Sequence, residues 1–353
     1  MAATLTPPLT SPPTASPRKK VTNRRGRDLA QPVRRAVQFG FLLLNIWIGI
    51  EFYLFVRFHE TGGQTVWAQR PPGVEGWLPI ASLMNLKYYL LTGEVPAAHP
   101  AGMFLLIAFL SISLLLRKAF CGWLCPIGTL SEYLWKSGRA LFGRNYPLPR
   151  WADLPMRSLK YILMGLFLYA IGGMSAMAIR VFLDGPYGVV ADVKMLNFFR
   201  FMGTATAVVV GALLLASVLV QNFWCRYLCP YGALMGLLSW ASPARIRRRP
   251  DLCIDCAKCA RACPSQLKVD QLIRIQSPEC IGCMECVTAC PVDSALDMTV
   301  ARRRLPPWAM AAAIAALFLG VTGYAQWSGY WHTNVPTEVY FDLIPRAGEF
   351  GHP

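Results

Sequence analysis

Cys253-Ile-Asp-Cys256-Ala-Lys-Cys259-Ala-Arg-Ala-Cys263-Pro264 and Cys280-Ile-Gly-Cys283-Met-Glu-Cys286-Val-Thr-Ala-Cys290-Pro291 repeat one pattern, C-x2-C-x2-C-x3-C-P, with sixteen residues between Cys263 and Cys280. Eight thiolates at this spacing suit a pair of [4Fe–4S] clusters. Three cysteines two residues apart wrap one face of a cuboidal cluster, and the fourth lies too far round for the same cube and reaches the other. Cys253, Cys256, Cys259 and Cys290 are therefore expected to hold one cluster, and Cys280, Cys283, Cys286 and Cys263 the second. Gly282 and Asp255 occupy matching places where positive φ is tolerated. Pro264 and Pro291 suit the first position of a helix leading away. Structural zinc pairs two knuckles across a longer gap, and disulfide frameworks belong to small secreted domains, so neither competes well with iron–sulfur.

Working outward, the chain of 353 residues is 54% hydrophobic with positive mean hydropathy and a net charge of +16. That composition points to a membrane protein. Apolar runs of spanning length fall at Ala36–Phe58 and about 101–120, 158–180, 203–224 and 307–327. Trp77–Leu91 is apolar but short and reads as an interfacial or re-entrant helix, with Trp77, Tyr88 and Tyr89 at headgroup level. With the N-terminus inside, 28 of the 35 Lys and Arg lie on inner segments and 6 on outer ones. This bias orients the chain and accounts for its charge without a nucleic-acid partner. All twelve cysteines then lie at or inside the inner face, where a reducing compartment keeps thiols available as ligands.

A second repeat closes two membrane hairpins: Phe120-Cys121-Gly-Trp123-Leu124-Cys125-Pro126 matches Trp224-Cys225-Arg-Tyr227-Leu228-Cys229-Pro230. Each proline is expected to start a helix with Cys125 or Cys229 at its N-terminus, where the dipole lowers a thiol pKa. Cys121, Cys125, Cys225 and Cys229 could share a further metal or iron–sulfur centre, act as a redox-active thiol pair or transient metal relay, or be structural.

Two C-x3-C-P hairpins, a double C-x2-C-x2-C-x3-C-P module and a last span resemble the NapH/NosR/CcoG group of membrane polyferredoxins over roughly residues 35–330. The layout is most similar to stand-alone NapH-like or YccM-like proteins, since the long flavin-binding region of NosR and the immunoglobulin-like domain of CcoG are absent. The resemblance implies an electron carrier between the quinone pool and a partner redox protein, open to a role as a quinol dehydrogenase subunit. Copper reduction in oxidase assembly, or membrane redox sensing, are the alternatives.

Glu51 near the end of the first span is a candidate proton acceptor for a quinol, against an interfacial Glu51–Arg57 pair. His59, His99, His332 and His352 read as surface histidines rather than haem ligands, and Asp184 and Asp192 as turn residues. Arg226, Arg245, Arg247, Arg248, Arg249, Lys258, Arg261, Arg302, Arg303 and Arg304 flank the cluster module, anchoring it and favouring reduced clusters. No nucleophile, general base or phosphate loop stands out, so no catalytic residue is assigned.

The expected architecture is a mainly α membrane protein of about five transmembrane helices with an inserted α+β ferredoxin-like double [4Fe–4S] module. Residues 1–35 read as a disordered basic cytoplasmic tail, 36–244 as a four-span domain, 245–304 as the cytoplasmic module and 305–327 as the fifth span. Residues 328–353 read as a periplasmic tail that covers the bundle mouth or docks a partner. The bilayer in question is a bacterial inner membrane.

Overall fold

Apolar segments without water to satisfy their backbone fold as helices, which close each N–H on a carbonyl of the same segment. The computed structural model describes residues 29–352 and is mostly helical. In chain order come α1 (Ala30–Glu60), α2 (Pro79–Thr92), α3 (Pro100–Leu115), α4 (Pro126–Phe142), α5 (Arg150–Gly173), α6 (Ala176–Asp184), α7 (Pro186–Val189), α8 (Ala191–Arg200), α9 (Thr204–Leu219) and α10 (Pro230–Trp240). The cysteine module carries α11 (Lys258–Ala262) and α12 (Glu285–Thr288), and α13 (Pro307–Trp327) and α14 (Thr337–Leu343) end the chain. Proline stands at the start of α2, α3, α4, α10 and α13, where its missing N–H would be unsatisfied anyway.

α1, α5 and α13 are long and apolar enough to cross a membrane, and α8 with α9 forms a fourth candidate bent by 85°. The expected second span is the 16-residue α3, about 24 Å of helix against a hydrocarbon core of about 30 Å. It packs against α2, α10 and α13 and is buried along most of its length, so it forms the centre of the bundle. The third expected span begins earlier, at Arg150, and stops at Gly173, before Ser175 caps α6.

The expected basic tail lies outside the described residues up to residue 28, but Ala30 to Arg35 already belong to α1. Arg34 is fully buried there. Tyr88, expected in the headgroup layer, is also buried, with its hydroxyl 3.2 Å from Glu94 Oε2, whereas Tyr89 is exposed. At the end of α1 remote from the cysteines, Tyr340, Leu343 and Ile344 of the C-terminal tail pack on Phe52, Phe55 and Val56. The tail therefore covers that end of the bundle.

In the module, β1 (Ala244–Arg248) pairs antiparallel with β2 (Arg274–Ile275) and β3 (Leu296–Val300), and β3 pairs with β4 (Arg303–Arg304). Ile246 faces Ile275 on one neighbour and Met298 on the other, and all three are buried. One apolar core runs unbroken from Ala108 and Ile112 of α3 through Trp123 to Ile246, Met284 and Cys286. The module is thus docked on the helices and shares their core.

α4 and α9 cross where Gly138 has no side chain: a Cβ there would lie 1.9 Å from the Val218 carbonyl oxygen. Gly138→Ala is expected to destabilise the protein by about 1–3 kcal/mol through forced separation of the two helices. A thermal melt in detergent that leaves the midpoint unchanged would contradict this packing.

Candidate iron–sulfur sites and the cavity beside them

The two long cysteine runs fold alike. Asp255 and Gly282 have φ of 53° and 63°, as their matching places in the repeats suggested, and Ala257 and Met284 follow suit at 55° and 58°. These left-handed residues turn the chain so that successive cysteines point inward. The expected helices after Pro264 and Pro291 do not form. The short helices α11 and α12 instead precede the fourth cysteine, because the chain must double back there to bring that thiol across.

Cys263, Cys280, Cys283 and Cys286 line one small pocket walled by Ile246, Leu267, Val269 and Ile275. Cys259 lies within electrostatic reach of Cys253 and Cys290. Cys263 thus lies with the second run's three cysteines, and Cys290 lies near Cys259 of the first. Cys286 also feels Cys259, which brings the two quartets close together. Burial pushes the Cys263 thiol up to about 11 and raises those of Cys283 and Cys286 further. Such dry thiols ionise when a metal takes the place of their protons.

Membrane-domain side chains hold the backbone of these loops. Gln31 Nε2 donates to the Cys283 carbonyl at 2.9 Å and Trp123 Nε1 to that of Gly282 at 3.1 Å. Arg117 and Arg226 donate to the carbonyls of Ser277 and Ser265 at 2.6 and 2.8 Å. Beneath them Arg34 makes a bidentate pair with Glu132, 2.6 Å for each bond, and reaches Glu285 of α12 at 3.0 Å. Burial works against the Glu132 carboxylate, yet Arg34 holds its pKa at about 2. The N-terminal helix is in this way pinned to the second cysteine loop.

The C-x3-C-P repeats form two copies of one device. Phe120–Leu124 and Trp224–Leu228 are single π-helical turns. Cys125 and Cys229 then cap α4 and α10, their Sγ atoms accepting from Gly128 N at 3.5 Å and Gly232 N at 3.2 Å. The expected proline-started helices are present. The expected fall in thiol pKa is not seen at Cys125: burial outweighs the helix end and pushes it up to about 11. Burial likewise takes Cys121 to about 12 and Cys225 well above the usual thiol range. Cys225 is within electrostatic reach of Cys121, Cys125 and Cys229, so the structure gathers all four. Among the described residues no three His, Cys, Asp or Glu side chains converge as ligands of a single ion would. Thiolates on a cubane bind different irons, so they need no such convergence.

All four of these cysteines line a cavity of about 620 Å³. Its far end is bounded by Asn45, Glu51, Arg70 and Trp77, its middle by Phe41, Phe109 and Phe318, and its near end also by Pro264, Glu279 and Ile281 from the module. Glu51 faces this cavity, while Arg57 pairs with Glu60 at 3.1 Å, so the Glu51–Arg57 pair does not form. His59 and His99 are buried rather than on the surface. His99 bonds Arg70 Nη2 at 2.9 Å and the Gly188 carbonyl at 2.7 Å. Asp192, read as a turn residue, is buried and receives Arg70 at 2.7 Å. Sequence reasoning missed this cluster because its members are far apart in the chain. It also counted Lys118, Lys160 and Arg34 merely as charges flanking spans.

The chain matches the model of a 4Fe-4S binding domain at residues 98–149 and 202–249, covering both C-x3-C-P repeats, and that of a 4Fe-4S dicluster domain at 245–291. It belongs to the family of membrane-associated 4Fe-4S ferredoxin-type electron-transport proteins. It is similar at 51% identity to YccM of Escherichia coli (strain K12), which bears the name of an electron transport protein, over 90% of this chain and 91% of that one. Regulatory protein NosR of Pseudomonas aeruginosa is 30% identical over 54% of this chain and 27% of its own. Ferredoxin-type protein NapH of Escherichia coli (strain K12) is 22% identical over 51% of this chain and 59% of its own. No solved structure matches the chain.

Proposed function

We propose that this protein passes electrons between the quinone pool and a partner redox protein, from a quinol site in the cavity to the ferredoxin-like module. The observation that carries the reading is the cavity itself. It has the size of a small-molecule site, an aromatic and aliphatic middle suited to a lipid-soluble ring, and cysteines at one end only. Bound iron–sulfur clusters supply one-electron carriage.

The residues divide the work. Cys253, Cys256, Cys259 and Cys290 hold one cluster and Cys280, Cys283, Cys286 and Cys263 another, while Cys121, Cys125, Cys225 and Cys229 hold a further centre nearer the cavity. Two observations favour a cofactor in this last set: its four half-buried thiols are gathered at one place, and α4 and α10 both present their N-terminal N–H groups there. Asn45 and Trp77, hydrogen-bonded to each other at 3.1 Å, orient the ring's polar end. Glu51 accepts a proton there.

Quinol added anaerobically to the purified protein is expected to bleach the cluster absorbance and raise reduced-cluster EPR signals, and Glu51→Gln to slow this at least tenfold. Clusters that dithionite reduces but quinol does not would refute the quinol reading.

A further inference from the structure

The cysteine end of the cavity holds a positive charge whose counter-charge is missing from the neighbouring side chains. Lys118 is 3% exposed, and its ammonium opens on the cavity. The nearest acid acting on it, Glu279, is already engaged by Lys160 at 2.6 and 2.7 Å and by the Tyr161 hydroxyl at 3.1 Å. Among the described residues Lys118 has no carboxylate within ion-pair distance and no hydrogen-bond partner. A largely buried cation that faces a cavity in that condition is stabilised by an anionic occupant of the cavity.

The surroundings show where that counter-ion belongs. The Lys118 ammonium acts through space on Cys121, Cys225 and Cys229. It lies against the first turns of α10, where a Cβ on Gly232 would come 3.6 Å from Nζ and 3.5 Å from Cys229 Sγ, and one on Gly236 3.7 Å from Nζ. The ammonium is therefore within contact distance of the backbone that carries Cys229. The N-termini of α4 and α10 add partial positive charge at the same place. Cation and helix ends together favour a dianionic occupant.

We infer that Lys118 is the counter-cation of a tetrathiolate iron–sulfur centre held by Cys121, Cys125, Cys225 and Cys229, and that it raises this centre's reduction potential. The inference deepens the functional reading above and rests on its assignment of these four cysteines. Each electron arriving adds one negative charge beside Lys118, and a fixed cation favours the reduced form. Lys160 contributes less, being neutralised by Glu279. The fixed charge thereby eases the arrival of an electron at the centre nearest the cavity.

The test is potentiometric EPR with iron quantitation on the full-length protein in detergent, for wild type, Cys225→Ser, Lys118→Met and Lys118→Arg. The wild-type signal absent from Cys225→Ser belongs to the tetrathiolate centre. Lys118→Met is expected to shift that signal alone to lower potential, and Lys118→Arg to restore most of the shift. Loss of the centre in Lys118→Met but not in Lys118→Arg also supports the counter-cation role. An unmoved potential in Lys118→Met, loss of the centre in both variants, or a changed quinol KM without a potential shift would each overturn it. Iron and signals unchanged in Cys225→Ser would refute the assignment of the four cysteines itself, and the counter-cation role with it, while a wild type unreactive to quinol would sink only the quinol reading.

Discussion

Cys263→Ala is expected to remove the cluster of the Cys280–Cys286 loop and to spare that of the loop in which Cys263 itself lies. Iron should fall by about four atoms per chain, since a cubane that loses one of its four thiolates in this pocket has no replacement ligand. The sharper check is a pairing of phenotypes. Cys263→Ala and Cys283→Ala should share one residual EPR spectrum, and Cys259→Ala and Cys290→Ala should share another. If Cys263→Ala instead matches Cys259→Ala, each run serves its own cluster and the crossed arrangement is wrong. The crossing rests on Cys263 lining the same pocket as Cys280, Cys283 and Cys286, and on Cys290 acting on Cys259.

The second large effect is expected at Arg34. Its guanidinium is fully buried and binds Gln31, Gly122, Glu132 and Glu285. Arg34→Met leaves the buried Glu132 with Lys136 as its charged partner and a bond from Gln38, and removing one partner of a buried pair costs about 3–5 kcal/mol. Hydrogen exchange of residues 280–288 should accelerate in step, because α1 no longer pins that loop. The double variant Arg34→Met/Glu132→Leu should recover most of the stability, since apolar groups of similar size can replace a buried pair at little cost. A double variant as unstable as the single one would mean that Arg34 acts through its bonds to Gln31, Gly122 and Glu285 rather than through Glu132.

Arg34 also illustrates what could not be read from the chain. In Gln31-Pro-Val-Arg34-Arg35 it is one basic residue among many before a span, and charge counting treats it like its exposed neighbour Arg35. Only the return of the chain about a hundred residues later, with Glu132 on α4, distinguishes the two. Tyr88 and His99 misled for the same reason. Their residue types suit an interface or a surface, and packing by α6 and α7 from elsewhere in the sequence buried them. The length of α3 was obscured because Ala119 and Phe120 extend its apolar run past Arg117, whose φ of 65° breaks the helix before the π-turn at the cysteines.

The sequence by itself determined the cysteine chemistry, the helical class and the duplicated C-x3-C-P device. All three are local: two- and three-residue spacings, apolar runs and a proline's effect on its neighbours act within a turn or two of chain. Tertiary structure alone decided that the module shares a core with the helices, that the four C-x3-C-P cysteines meet at the end of one cavity, and that Lys118 stands there without an acidic partner. Those facts depend on which distant segments pack together, and burial, which turns a flanking lysine into an uncompensated charge, exists only once they have packed.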